Sequence, residues 1–232
     1  VARQSVQVAR QVVVTCLVVF STIGEIMLNK ITDLQKIEQL LMAKEKICLF
    51  IDNSNLFGAM QEFSQNDRID YIKLKEFLAH GRTIASARFY YSEPPFPRDN
   101  VEPEVMQAAL ESVRKRKSFY YVLERSGYTT ICLPQRSNHV NSFVEKGLDT
   151  ELVYDMCAMS RDGRIDTFIL VAGDEDYARI VSRLRQDTGV KVEVAFFDAQ
   201  CSYKLKEAAT TFIDLGQQET RELVFRGQLA DE

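Results

Sequence analysis

Beyond residue 44, apolar and polar positions succeed one another at two periods. Residues 47–51 form an unbroken apolar run, the pattern of a central parallel strand buried on both faces. Asp70 then precedes a helical pattern over 71–79, which Gly81 ends. Residues 83–91 read as a strand, and Pro94, Pro95 and Pro97 force a loop. A long helix over 102–125 stops at Gly127, and a strand over 128–133 leads into a polar loop at 134–146. Helical spacing over 149–160 is closed by Asp162-Gly163. A strand over 167–172, a helix over 176–187, a strand over 190–197, a helix over 203–209 and a short strand over 211–215 complete the pattern. Residues 216–232 read as a polar tail with room for a last helix. Strands alternating with helices predict an α/β fold: a mostly parallel central sheet with helices on both faces.

The first 43 residues follow a different pattern. Arg3 and Arg10 lead into an uncharged run from Gln11 to Gly24, with its most apolar part over 12–20. That run resembles the centre of a signal peptide, but no A-x-A-like cleavage site follows. It is also shorter than the roughly 18–20 residues a bilayer span needs, so no stable membrane insertion is expected. Met27 and Met42 are candidate translation starts, which would leave the apolar run upstream of the native protein. Leu28, Ile31, Leu34, Ile37, Leu40 and Leu41 fall at helical spacing opposite Asp33, Gln35, Lys36 and Glu38. This amphipathic helix is a candidate for covering an apolar patch or joining two copies of the chain. The expected division is an extension over 1–43, a main domain over 44–216 and a polar tail over 217–232.

Composition narrows the chemistry. The 232 residues are 46% hydrophobic and 27% charged, which excludes a disordered chain, a collagen and a multi-span membrane protein. The net charge of −4 argues against nonspecific nucleic-acid binding, yet leaves room for a nucleic-acid enzyme whose carboxylates hold metal ions. The five cysteines include no C-x-x-C pair, and two isolated histidines cannot complete a zinc site. Free buried thiols in a reducing, cytoplasmic setting are expected. Neither G-x-x-x-x-G-K-[ST] nor G-x-G-x-x-G occurs, which removes P-loop NTPases and Rossmann dehydrogenases. A haloacid-dehalogenase phosphatase needs a second Asp that Asp52-Asn53-Ser54-Asn55 lacks.

Ligands of open α/β sheets bind at the carboxyl ends of the strands, and two strand ends here carry acids. One reads Phe50-Ile51-Asp52-Asn53-Ser54-Asn55-Leu56, the other Leu170-Val171-Ala172-Gly173-Asp174-Glu175-Asp176-Tyr177. If the two strands are neighbours, about 4.8 Å apart, Asp52 and Asp174 come together, and like charges that close call for a cation. An all-oxygen cluster favours Mg²⁺ or Mn²⁺ over zinc. A third acidic segment, Lys146-Gly147-Leu148-Asp149-Thr150-Glu151-Leu152-Val153-Tyr154-Asp155, opens a helix. Asp149 falls in its first turn, while Asp155 lies about 240° further round and reads as a buried hydrogen-bonding residue. Lys146 is placed to meet a phosphate. Arg114-Lys115-Arg116-Lys117, followed by Tyr120 and Tyr121, is the densest basic run and a second candidate for contact with a polyanion.

These segments together resemble the NYN domain, a branch of the PIN-like nuclease superfamily that includes LabA-like and YacP-like proteins. The marks are F-I-D-N-S-N-L at 50–56, K-G-L-D-T-E-L-V-Y-D-M at 146–156, L-V-A-G-D-E-D-Y-A-R-I-V at 170–181, and the late Ser202, Leu205, Ala209, Phe212, Asp214 and Leu215. Tyr177 stands where Phe is usual and is expected to be harmless; Asn53 stands where Gly is common and is expected to narrow the approach to the first loop. The resemblance implies a PIN-like, Rossmann-like three-layer sandwich and an endoribonuclease dependent on Mg²⁺ or Mn²⁺, acting on single-stranded RNA. It assigns Asp52, Asp149, Asp174 and Asp176 to catalysis and metal binding, and Asn55, Ser54 and Lys146 to the substrate side. The alternative it leaves is an RNA-binding or regulatory module with the same fold and little catalysis.

Overall fold

A computed structural model describes residues 44–64, 67–94, 96, 102–137, 143–144 and 146–227, together with Lys36, Leu40 and Leu41, which are helical. The apolar run at 12–20 and nearly all of the amphipathic helix expected at 28–41 lie outside the described residues. The chain divides into a unit over 1–44 and a unit over 45–232.

The second unit runs β1 (Lys46–Asp52), α1 (Asn53–Phe63), β2 (Asp67–Ile69), α2 (Tyr71–Ala79), β3 (Thr83–Glu93), α3 (Pro103–Arg125), β4 (Thr129–Pro134), β5 (Arg136–Ser137), β6 (Phe143–Val144) and α4 (Leu148–Ser160). It continues through β7 (Thr167–Val171), α5 (Asp176–Thr188), β8 (Lys191–Phe196), α6 (Tyr203–Ala208), β9 (Thr211–Asp214), α7 (Gln218–Val224) and β10 (Phe225–Gly227). The main sheet has six parallel strands in the order β4-β3-β1-β7-β8-β9. The chain leaves β1 for β3 and β4 on one side, then returns to lay β7, β8 and β9 on the other. The order therefore reverses between β1 and β7, and a crevice opens at their carboxyl ends.

Burial explains why these two strands are central. Ile47 through Ile51 and all of β7 are sealed from solvent, with Phe50 edge-on to Phe168 at 5.3 Å between ring centres. On the β3 side Phe89 meets Tyr71, Phe119, Tyr120 and Tyr128 in one aromatic cluster. The Asp70 carboxylate accepts from the backbone N–H groups of Ile72 and Lys73, fixing the start of α2 where the sequence placed it.

Three features differ from the reading of the sequence. Helix α1 follows β1 at once, where only a strand-end loop was anticipated; Leu56, Ala59 and Met60 are its buried face. The polar loop at 134–146 contains the paired strands β5 and β6. The tail expected over 217–232 is not solvated throughout. Its α7 and β10 fold onto the domain, β10 pairs antiparallel with β2, and Thr220, Val224 and Phe225 are buried. Phe225 packs beside the stacked pair of Phe63 and Phe197, an apolar contact that the polar composition of the segment hides.

The four described cysteines are free. Burial pushes the Cys48 and Cys201 thiols up to about 11. Cys132 departs from the expected burial because β4 is an edge strand with one side open. Among the described residues no helix is long and apolar enough to cross a membrane.

Candidate active site

The carboxyl ends of β1 and β7 are laced together by side chains. Asp52 ends β1 and is 7% exposed. Its Oδ1 accepts from the backbone N–H of Asn55 at 3.1 Å, capping α1. Its Oδ2 accepts from the Tyr177 hydroxyl at 2.8 Å. The Asn55 side-chain Oδ1 in turn accepts from the backbone N–H of Gly173 at 2.7 Å, tying the loop after β1 to the loop after β7. Asn53 does not narrow the approach as expected. Its Oδ1 accepts from the Tyr71 hydroxyl at 2.6 Å, so the side chain is committed to α2.

Gly173 is required where it stands. A Cβ there would come within 2.4 Å of two Phe196 ring atoms and 3.1 Å of the Gln200 carbonyl oxygen. The close approach seats the loop on β8 and presents the next residue, Asp174, to solvent. Asp174 Oδ1 accepts from the backbone N–H of Asp176 at 3.1 Å, opening α5. Asp176 joins the group through that N–H; its side chain is exposed. At the start of α4, Gly147 adopts φ 91° and Leu148 is fully buried, which leaves Asp149 exposed in the first turn. Lys146 is exposed one residue before the glycine and makes no ion pair among the described residues.

Electrostatics shows which acids converge. Tyr177 is 2% exposed, and burial drives its phenol far above the ordinary tyrosine range. Asp52, Asp149 and Asp174 all push it the same way, so three carboxylates from three elements act on one hydroxyl. Asp155 is not one of them. It is ion-paired with Arg88 and accepts from the Tyr90 hydroxyl at 2.6 Å, as its position around α4 anticipates.

The donors suit a hard cation, since they are carboxylate oxygens. Among the described residues no group of three or more His, Cys, Asp or Glu side chains is gathered closely enough to hold an ion. Mg²⁺ commonly binds through one or two carboxylates and keeps several waters, and the residues present fit that mode.

The model of the NYN domain family matches residues 46–216. The chain belongs to the NYN domain family. Its architecture is accordingly a PIN-like nuclease fold. A crystal structure of a Vibrio parahaemolyticus protein of unknown function is similar in fold, with a TM-score of 0.57 and 22% identity over 75% of this chain and 94% of that one. No curated protein matches the chain.

Within this NYN domain the sequence pointed to the acids but passed over Tyr177. The signal was present: a tyrosine in the first turn after an acid-rich strand end, where the family pattern has Phe. Its hydroxyl is the group on which the acidic segments meet.

Proposed function

We propose that this NYN domain is a metal-dependent endoribonuclease, of the LabA-like branch, that hydrolyses phosphodiester bonds of single-stranded RNA. The observation that carries the reading is that Asp52, Asp149 and Asp174, from three different elements, all act on the Tyr177 hydroxyl beside the switch in strand order. One or two of the carboxylates of Asp52, Asp149 and Asp174, with waters, would hold Mg²⁺ or Mn²⁺, and Asp176 would act beside them. A bound divalent cation supplies positive charge for the scissile phosphate and lowers the pKa of a coordinated water. Asn55 fixes the distance between the two strand ends, and Tyr177 holds the Asp52 carboxylate in one orientation. Ser54 lies in the first turn of α1 beside Asp52, and Lys146, exposed before Gly147, would neutralise a phosphate oxygen.

Incubation of the purified protein with labelled RNA, single-stranded DNA or a phosphomonoester, each with Mg²⁺, Mn²⁺ or EDTA, tests this. Metal-dependent cleavage of RNA is expected, slowed at least about 10²-fold by Asp52→Asn or Asp174→Asn. RNA degradation at the parent rate by the folded double variant refutes it. A second reading, a binding module with little catalysis, is favoured by one observation: the acids do not form a closed three-carboxylate cage among the described residues. RNA binding without metal-dependent turnover would establish that reading instead.

A further inference from the structure

Helix α3 leaves one side of itself unused. Of its 23 residues only Leu123 is buried. The inner side is fixed by Arg116, paired with Glu93 at 3.6 Å, and by Tyr120, stacked on Tyr91 at 3.8 Å. With about 100° per residue, Leu110, Arg114, Lys117, Tyr121 and Arg125 fall within about 80° of one another, on a side turned about 120–180° from Leu123. All five are exposed, Leu110 at 54% and Tyr121 at 62%. No carboxylate falls inside this stripe, and exposed Glu111 lies about 40° outside one border of it. Glu124 lies just beside it, and its Oε1 is taken by the Thr130 hydroxyl at 2.5 Å. Among the described residues Arg114, Lys117 and Arg125 make no ion pair.

The register places the stripe relative to the acids. Asp52 is opposite Tyr90, and Glu93 lies three residues further along β3, about 10 Å beyond. Arg116 is held by that Glu93, so Arg114 and Lys117 stand at the carboxyl edge of the sheet, on the same edge as Asp52. From there the stripe descends along α3 for about 22 Å in all. The entrance itself, with Asp149, Asp174, Glu175 and Asp176 exposed, repels a polyanion. Attraction has to come from a surface beside it.

We infer that the outer side of α3 is the track for single-stranded RNA flanking the acidic site, with Arg114, Lys117 and Arg125 on its phosphates and Tyr121 stacked on a base. This rests on RNA being the substrate. Cations free of carboxylates match a phosphate backbone, and an aromatic ring between them adds sequence-tolerant stacking. The stripe also begins at the edge of the sheet where the strand would be cut.

The test is fluorescence anisotropy of a fluorescein-labelled 12-nucleotide RNA with the full chain in EDTA, which separates binding from cleavage. Arg114→Ala with Lys117→Ala should weaken binding at least about tenfold at moderate salt and reduce the slope of log K against log salt by about 1.4, two phosphate contacts on a single strand. Tyr121→Ala should weaken it about fivefold or more with the slope unchanged. With Mn²⁺ the variants should show raised KM and parental kcat. Parental affinity and slope in the variants, folded by circular dichroism, overturn the inference even if the parent cleaves RNA. Loss of binding to phosphatidylserine vesicles or of self-association, with RNA affinity intact, overturns it equally. Weakened RNA binding in the variants of a protein that cleaves nothing upholds the track and refutes the nuclease reading alone.

Discussion

Tyr177→Phe removes a single oxygen atom and leaves the packing of α5 in place. What it deletes is the 2.8 Å hydrogen bond to Asp52 Oδ2. With Tyr177 at 2% and Asp52 at 7% exposure, water has little room to replace the donor. A hydrogen bond to a charged group is worth about 1.5–3 kcal/mol, and its loss leaves a buried carboxylate short of a partner. For a domain of this size about 1 kcal/mol moves Tm by roughly 2–4 °C, so metal-free Tyr177→Phe should melt about 3–12 °C below the parent. Thermal unfolding followed by circular dichroism in EDTA gives the number. Tyr71→Phe is the control, because its hydroxyl donates to the neutral amide of Asn53 and should cost about 0.5–1.5 kcal/mol. Saturating Mn²⁺ should narrow the gap for Tyr177→Phe by returning a positive partner to Asp52, and leave the Tyr71→Phe gap unchanged. An unchanged or higher Tm in EDTA would refute the reasoning.

Three further outcomes follow from the same geometry. Asp174→Asn keeps an oxygen for the Asp176 N–H but removes one of the three negative charges that act on Tyr177, so metal-free Tm should rise by about 1–3 °C; a fall would show that the charge itself supports the start of α5. Asp155→Asn breaks the Arg88 ion pair and weakens the Tyr90 contact, so urea unfolding should show a loss of about 1–3 kcal/mol while the folded variant keeps its cleavage rate within a few-fold. Burial first of all raises the phenols of Tyr71, Tyr90, Tyr128 and Tyr177, so they stay protonated in the native chain while an unfolded tyrosine ionises near about pH 10. Their contribution is complete below that pH and declines above it; tyrosinate absorbance should reach its full value only as far-ultraviolet ellipticity is lost, and full titration in a folded chain would contradict this.

How much of this was legible beforehand depended on range. Local signals were reliable: Asp70, the run at 47–51 and the stop at Gly127 each act within a few residues of themselves, and the elements expected between residues 47 and 215 fell within a residue or two of their bounds. The adjacency of β1 and β7 was only a condition in the sequence, and the sheet meets it. What escaped was settled across the chain. Phe225 is buried because Phe63 and Phe197 are already there, 162 and 28 residues earlier in the sequence. Tyr177 looked like a harmless Phe substitute because its partner, Asp52, is 125 residues away. Asp174 and Asp176 read alike along the chain, yet one accepts a hydrogen bond with its side chain and the other supplies it from its backbone.

The pairing of β10 with β2 sets a boundary that the family match does not. The match ends at residue 216, but a polypeptide stopped there leaves β2 without a partner and strips Phe225 from the rings of Phe63 and Phe197. Phe63 is the last residue of the helix that begins on Asp52, so the uncovered end and the acidic end belong to one rigid rod. During synthesis the six-stranded sheet has all its strands once residue 214 has emerged, while that rod waits for residues 225–227 to be secured. Asp52, the first of the acids to be encoded, is therefore among the last to be made firm.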